Sequence, residues 1–149
     1  MNEINNYLLL NILNYLLIDD ILNLVSVDKH KYQLLNDDNL WKILLDKYLI
    51  ELKIEENDIN EKLKKSTYRE TLFLVKDLNQ LKEINRLKNK TIVEIYNLQE
   101  LWLYNNEIKE IPPQIGFLTN LQQLGLDNNP INESSKEYLK SLNIQHLYL

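Results

Sequence analysis

Histidines and carboxylates are the side chains in this sequence that could act in acid–base catalysis or bind a metal. Their spacing favours neither of these two functions. His30 lies in the N-terminal part and His146 near the C-terminal end, and the chain contains no cysteine. Zinc sites combine several His, Cys or carboxylate ligands at characteristic spacings. No glycine-rich phosphate loop and no G-x-S-x-G motif is present either. We therefore expect no catalytic residue, no metal site and no cofactor, and we expect that the protein is not an enzyme.

Length and charge restrict the kinds of partner. The chain has 149 residues and a net charge of −5, which predicts one compact body that can hold two sub-domains. A negative net charge gives no electrostatic reason to expect nucleic acid or an anionic membrane as partner. The apolar segment 7–25 lacks a basic start and is interrupted by Asn and Asp, so it predicts neither a signal peptide nor a membrane span. We expect an intracellular, cytoplasmic protein, with the nucleus as an alternative.

A repeated pattern predicts the fold of the C-terminal part, residues 91–149. Five positions recur 23 residues later, as Leu98, Leu101, Leu103, Asn106, Ile108 and then Leu121, Leu124, Leu126, Asn129, Ile131. A third copy begins with Ile144, Leu147 and Leu149. The pattern L-x-x-L-x-L-x-x-N-x-I is typical of leucine-rich repeats. We therefore predict a short solenoid of two repeats plus a terminal strand.

Each residue type in the repeat has a physical role. The L-x-L pair places two leucines on one face of a short strand, because side chains alternate along a strand. The asparagine can bond backbone groups of the turn that would otherwise be buried unpaired. After the first strand, Pro112 and Pro113 predict an irregular return segment, with Ile115, Leu118 and Leu121 on its inner edge. After the second strand, residues 136–142 predict a short helix with N-cap candidates at 132–135.

The middle part, residues 51–90, carries one clear helical pattern. Tyr68, Leu72, Val75 and Leu78 lie on one face of a predicted helix over residues 66–79. A repeat buries its apolar face only against a neighbour, so the first repeat needs a cover. We expect this helix to cover the N-terminal end of the repeats, and an independent linker helix is the alternative.

The N-terminal part, residues 1–50, predicts a bundle of short helices. Apolar positions 4, 8, 12 and 16 form a stripe along a first helix over residues 4–17. Asp19 and Asp20 can cap a second helix, and a third is predicted over residues 29–35. Asp37 and Asp38 suit the positive N-terminus of a fourth helix, over residues 39–49.

The stretch LLLNILNYLLIDDILNLVSVDKHKYQLLNDDNLWKILL resembles an F-box. The matching positions are Leu9, Ile12, Leu13, Leu16, Asp19, Asp20, Leu22, Val27, Lys29, Leu34, Leu40 and Trp41. Two positions depart from the family's pattern. Its opening Leu-Pro would fall at Ile4-Asn5, and the aromatic expected at Lys31 stands one place later, at Tyr32.

This resemblance implies that the N-terminal part binds a Skp-type adaptor of a cullin–RING ubiquitin ligase. The residues that it places at the adaptor are Ile4, Leu9, Ile12, Leu13, Leu16, Ile21, Leu22, Val27 and Lys29. Trp41 is expected instead to brace the packed helices.

The concave face of the repeats is the surface that we expect to hold a target protein. The side chains that flank the strand leucines point outward there: Gln99, Glu100, Trp102, Tyr104, Gln122, Gln123, Asp127, Gln145, His146 and Tyr148. Gly125 is expected to leave a gap between its neighbours. Trp102 and Tyr104 are the strongest candidates, because aromatic side chains dominate interface energies. The alternative is that Trp102 packs against the covering helix.

Three hypotheses follow for an α+β protein with an F-box-like helical bundle and a short leucine-rich-repeat solenoid. The first is a substrate-recognition adaptor of an SCF-type (Skp–cullin–F-box) ubiquitin ligase. The second is a leucine-rich-repeat module for protein–protein interaction with no ligase role, and the third is a shortened descendant of a longer repeat protein. The identity of the target cannot be read from the sequence.

Overall fold

The computed structural model describes residue 20 and residues 38–55, 58, 59 and 63–149. The described residues form two compact units, and each has its own packing. The first contains residues 38–55 with Ser66–Leu72, and the second contains residues 58, 59 and 63–65 with Phe73–Leu149. The three-part division at residues 50 and 90 stays a prediction, and the predicted helices before residue 38 lie outside the described residues.

Helix α1, Asp38–Glu51, belongs to the first unit. It begins one residue before and ends two residues after the predicted helix, with the carboxylate of Asp38 in its positive first turn. Its buried side chains are Leu40, Trp41, Leu44, Leu45, Tyr48 and Leu49. Trp41 is 2% exposed, and the guanidinium of Arg69 lies 5.2 Å from its ring centre. Trp41 thus has a packing role, and its expected bracing of the N-terminal helices stays a prediction.

Helix α2, Tyr68–Gln80, agrees closely with the helix predicted over residues 66–79. The hydroxyl of Thr67 accepts a hydrogen bond from the Glu70 N–H at 3.2 Å, which is the geometry of an N-cap. Leu72, Val75 and Leu78 are fully buried on one face. Residues Tyr68–Leu72 belong to the first unit and Phe73–Gln80 to the second.

Residues that follow the predicted covering helix contact the first repeat. Two 3-10 turns, Leu81–Glu83 and Asn85–Leu87, continue from α2, and Leu81 and Leu87 are fully buried. Gln114 of the first repeat donates a side-chain hydrogen bond of 2.6 Å to Gln80, the last residue of α2. The sequence analysis missed these turns, and the covering role of α2 itself stays a prediction.

Helix α3, Ile92–Tyr96, leads into the first strand and begins with a capping box. The Thr91 hydroxyl accepts from the Glu94 N–H at 3.1 Å, and the Glu94 carboxylate accepts from the Thr91 N–H at 2.7 Å. The pKa of the exposed Glu94 carboxyl lies below its ordinary value. The main cause is the hydrogen bond from the Thr91 backbone, and the hydrogen bond with the Thr91 side chain has a smaller effect. Ile92 and Ile95 are buried. The start of the repeat region near residue 91 stays a prediction.

Three parallel strands form a sheet in the order β1-β2-β3. They are β1 Glu100–Trp102, β2 Gln123–Gly125 and β3 His146–Tyr148. Leu101, Leu124 and Leu147 are paired in register at their centres. The first two are buried and Leu147 is half-buried, so these leucines lie on the inner face as the L-x-L pattern predicts.

The two return segments differ, as predicted. The segment after β1 contains a 3-10 helix, Pro113–Phe117, with Ile115, Leu118 and Leu121 buried along its inner edge. After β2 the chain forms α4, Glu133–Ser141, three residues earlier than the predicted start at residue 136. The earlier start follows from Asn132, whose side chain accepts from the Ser135 N–H at 2.8 Å and so caps the helix.

The two return segments are joined by polar contacts. The hydroxyl of Ser135, a buried residue, accepts a hydrogen bond from the Ile111 N–H at 3.1 Å. The Tyr138 hydroxyl donates to the Pro113 carbonyl at 2.6 Å and lies against Gly116, where a Cβ would meet it. These contacts satisfy backbone groups that the proline-containing segment cannot pair within a helix or sheet.

The repeat asparagines bond the turns, as expected from the sequence. The Asn129 amide donates to the carbonyls of Leu103 and Leu126, both at 2.8 Å, and its oxygen accepts from the N–H groups of Asn106 and Ile108, both at 3.0 Å. Asn129 therefore ties the second repeat to the first.

Asn106, at the equivalent position, bonds the carbonyls of Leu103 and Tyr104 within its own turn. The preceding asparagines, Asn105 and Asn128, both have a φ of 58°. Asparagine tolerates this left-handed conformation better than most residues.

Candidate protein-interaction surface

Two rows of outward side chains cross the sheet on the side opposite the buried leucines. Because strand register pairs equivalent repeat positions, one row contains Glu100, Gln123 and His146. The other contains Trp102, Gly125 and Tyr148, which we call the aromatic row. Both rows lie on the face that the sequence analysis named the concave face.

The ring of Trp102 fills the space beside Gly125. A Cβ built on Gly125 would lie only 2.8 Å from Cζ3 of Trp102 and nearer still to Cε3, so a larger side chain cannot be accommodated without movement. Gly125 does not have a positive φ, so space, not backbone conformation, requires glycine there. The expected gap at Gly125 was wrong, because the neighbouring Trp102 ring occupies it.

The aromatic row continues to the third strand. The ring centres of Trp102 and Tyr148 are 5.8 Å apart and their planes are inclined by 32°. This separation is typical of favourable aromatic pairs. Trp102 is half-buried and Tyr148 is 43% exposed, so both rings still present surface to solvent.

Glu100 fixes the polar edge of the Trp102 ring. Its carboxylate accepts one hydrogen bond from Trp102 Nε1 at 3.2 Å and another from Gln123 Nε2 at 3.2 Å. Both donors are neutral groups, so these bonds orient the carboxylate without cancelling its charge. An aromatic ring and an oriented anionic group therefore stand side by side on an exposed face.

Tyr104 lies in a different environment from Trp102. Its ring is 45% exposed, and the guanidinium of Arg86 lies 5.5 Å from its centre. Arg86 belongs to the 3-10 turn Asn85–Leu87. The sequence analysis missed Arg86 as a surface residue beside the repeats, because such a short turn has no apolar periodicity to reveal it.

The structure places the predicted target-binding residues at the surface but brings only some into mutual contact. Trp102 and Gln123 are half-buried, and the exposed ones are Gln99, Glu100, Tyr104, Gln122, Asp127, Gln145, His146 and Tyr148. Glu100, Trp102, Gln123 and Tyr148 contact one another as described above. Their role in binding a target stays a prediction.

A second concavity lies between the 3-10 turns and the first repeat. It is an open groove of about 600 Å³ whose walls include Ile84 and Arg86 on one side and Ile108 and Pro112 on the other. Glu83 and Glu110 also line it. This groove is a useful comparison for binding experiments, since it is separate from the aromatic row.

Over the described residues, no group of three His or acidic side chains is arranged to hold a metal ion. No helix in that part of the chain is long and apolar enough to cross a bilayer. His146 is exposed on β3, and His30 lies outside the described residues.

Comparison with protein families identifies the C-terminal part. The family model described as Leucine Rich repeats (2 copies) matches residues 96–149, the segment that contains all three strands. The C-terminal part thus consists of leucine-rich repeats, and the fold combines helices with a small parallel sheet. These repeats indicate a module for protein–protein interaction. Searches of curated proteins and of solved structures gave no match.

The F-box resemblance concerns the N-terminal part of the chain. No F-box is detected by comparison with protein families. The residues that the resemblance places at a Skp-type adaptor, from Ile4 to Lys29, lie outside the described part of the chain. The adaptor site therefore remains a prediction.

Proposed function

We propose that this protein binds a partner protein through the concave face of its leucine-rich repeats, with Trp102 at the centre of the contact. The supporting observation is the arrangement around Trp102, where Gly125, Tyr148 and Glu100 hold the ring in one position at the surface. A side chain that is already ordered loses less entropy on binding. Tryptophan is also among the residues that most often dominate interface energies.

Selection from a random dodecapeptide display library on the full chain tests this proposal. We expect enriched peptides whose dissociation constant rises at least tenfold in Trp102→Ala, since hot-spot truncations cost about 2 kcal/mol or more. Ile84→Ala in the groove is the matched control and should leave the constant within about twofold. Thermal melts of both variants verify that they are folded.

The opposite pattern would overturn the proposal. If selected peptides bind the folded Trp102→Ala variant as well as wild type and lose affinity for Ile84→Ala, the groove is the binding surface. If no peptide depends on Trp102, the concave face has no role in recognition of this kind.

A finer proposal is that the protein is the substrate-recognition subunit of an SCF-type ubiquitin ligase. It is supported by the F-box-like sequence of residues 9–41 and by the burial of Leu40 and Trp41 at the start of α1, where the resemblance ends. In this role the N-terminal part would bind a Skp-type adaptor while the repeats hold the target. The alternative is a repeat module with no ligase role.

Co-expression with a Skp-type adaptor, followed by size-exclusion chromatography, separates these two roles. The ligase proposal predicts a one-to-one complex that is lost in the double variant Leu13→Asp/Leu16→Asp. A complex that persists in a folded double variant would contradict the predicted contact surface. A folded chain that forms no complex would leave the interaction module as the function.

A further inference from the structure

Four aromatic rings among the described residues have a cation beside them. Arg69 lies over Trp41, Lys42 over Tyr68, Lys65 over Tyr96 and Arg86 over Tyr104, with distances to the ring centres of 5.2, 6.0, 5.6 and 5.5 Å. Trp102 and Tyr148 differ from these rings. Among the described residues, no lysine or arginine lies over either of them.

The charged side chains of the concave face are all acidic. Its outward positions contain Glu100 and Asp127 but no lysine or arginine. Glu100 is the acidic group nearest to the ring, since it accepts the Trp102 indole N–H. The carboxylate uses one acceptor position on each oxygen, for Trp102 and for Gln123. Each oxygen has a second lone pair, so two acceptor positions remain.

We propose that the aromatic row and Glu100 form a receiving site for an arginine side chain of the partner protein. The guanidinium would stack on Trp102 and direct its N–H groups towards Glu100. Tryptophan is the best ring for a cation–π contact, and the charged hydrogen bonds of a planar guanidinium add to it. Lysine fits less well, because its compact and strongly hydrated ammonium has no planar surface to stack on the ring and cannot form the paired hydrogen bonds of a guanidinium.

This inference rests on the proposed concave-face function and adds the chemistry of the partner to it. Charge complementarity supports a basic partner residue, because the face carries negative charge and the chain as a whole has a net charge of −5. The proposal also explains why the Trp102 indole and Glu100 are held together at an exposed position.

The dodecapeptides selected on the full chain provide the probes. We expect arginine to be enriched at one position, and replacement of that arginine by citrulline, which is neutral and nearly isosteric, to raise the dissociation constant about tenfold or more. Lysine at the same position should bind with intermediate affinity. Titrations at two salt concentrations should show that the arginine peptide loses more affinity than the citrulline peptide as salt rises.

Two protein variants locate the charge. Glu100→Gln should raise the dissociation constant of the arginine peptide about tenfold and change that of the citrulline peptide by less than about twofold. Asp127→Asn is the matched control on the same face and should have a smaller effect on the arginine peptide, because Asp127 is not bonded to the Trp102 indole.

Failure of the inference is distinguishable from failure of the proposed function. Peptides that require Trp102 but contain no basic residue, or that keep their affinity after citrulline replacement, would overturn the arginine site and leave the concave-face function standing. Equal effects of Glu100→Gln and Asp127→Asn would also overturn it, since they would indicate general attraction to an acidic face. Absence of any Trp102-dependent peptide would contradict both proposals.

Discussion

The two complete repeats share their inner residues and differ in their outer ones. Leu101 and Leu124 are both buried at the centre of a strand, and Asn105 and Asn128 both have a φ of 58°. At the paired outward position, by contrast, the first repeat has Trp102 and the second has Gly125. The inner positions hold the same residue types because both repeats bury them, whereas the outer positions differ from repeat to repeat. The outer positions therefore hold the information about function.

The outward residues of neighbouring repeats fit one another, because the large side chain of Trp102 occupies the space beside the small residue Gly125 of the next repeat. The Trp102 ring lies over Gly125 and reaches Tyr148 in the third strand. Tyr104 and Asp127, which are also separated by one repeat length, make no such pair. Tyr104 has Arg86 beside it instead.

The largest effect is expected where the repeats are most alike. Leu124→Ala should lower the free energy of unfolding by about 2–5 kcal/mol, because it opens a cavity at a fully buried position. Leu101→Ala should cost a similar amount. Leu147→Ala should cost clearly less, since Leu147 is half-buried. Chemical denaturation of the three variants measures these differences, and a cost at Leu147 equal to that at Leu124 would contradict the observed packing.

The next largest loss of stability should differ between the two repeat asparagines, Asn129 and Asn106. Asn129→Ala removes hydrogen bonds to five backbone groups, of which three belong to the first repeat. We expect a loss of about 2–3 kcal/mol, because several of these groups become unpaired. Asn106→Ala should cost about 1 kcal/mol, since its bonds lie within one turn. Equal costs in urea denaturation would show that the bonds between repeats add no stability.

A smaller effect is expected from filling the space beside Trp102. Gly125→Ala should destabilise by about 1–3 kcal/mol, because the new methyl group displaces the ring. The indole should become more exposed, with a red shift in the emission of Trp102 when Trp41 is subtracted as the buried reference. In the double variant Trp102→Phe/Gly125→Ala the cost should fall below the sum of the single costs. An additive double variant would contradict the contact.

Much of the repeat region could be predicted because burial imposes a period on the sequence. Leucines at fixed positions predicted the three strands, and the prolines at 112 and 113 predicted an irregular return segment. The 3-10 turns over residues 81–87 could not be predicted, since their pattern is too short for periodicity. The Trp102–Gly125–Tyr148 contact was missed although its signal was present. These residues occupy the same repeat position, so they had to be neighbours across a parallel sheet.

Helices α3 and α4 each have a glutamate in the first turn, and the two carboxylates are held by different contacts. We expect a small difference in how pH and salt change the contribution of each glutamate to stability. The Glu94 carboxylate of α3 is hydrogen-bonded to the backbone N–H and to the side chain of Thr91. The Glu133 carboxylate of α4 is instead paired with the Lys136 ammonium at 2.7 Å. Side-chain hydrogen bonding and charge attraction by Lys136 lower the pKa of Glu133 as well. Both carboxyls have a folded pKa below the unfolded one, so their stabilisation is present above about pH 4.3, the ordinary carboxyl value, and is lost as the pH falls through the folded pKa.

Glu94→Gln should therefore lower the melting temperature at pH 7 and have little effect at pH 3. Salt should not change the effect at pH 7, because the capping box is local and one of its partners is a backbone group. Glu133→Gln should show the same pH dependence, but its effect should shrink in 0.5 M salt, since an exposed ion pair is screened. Melting curves at both pH values and salt concentrations measure this. Equal salt sensitivity of the two variants would mean that the capping box acts mainly through net charge.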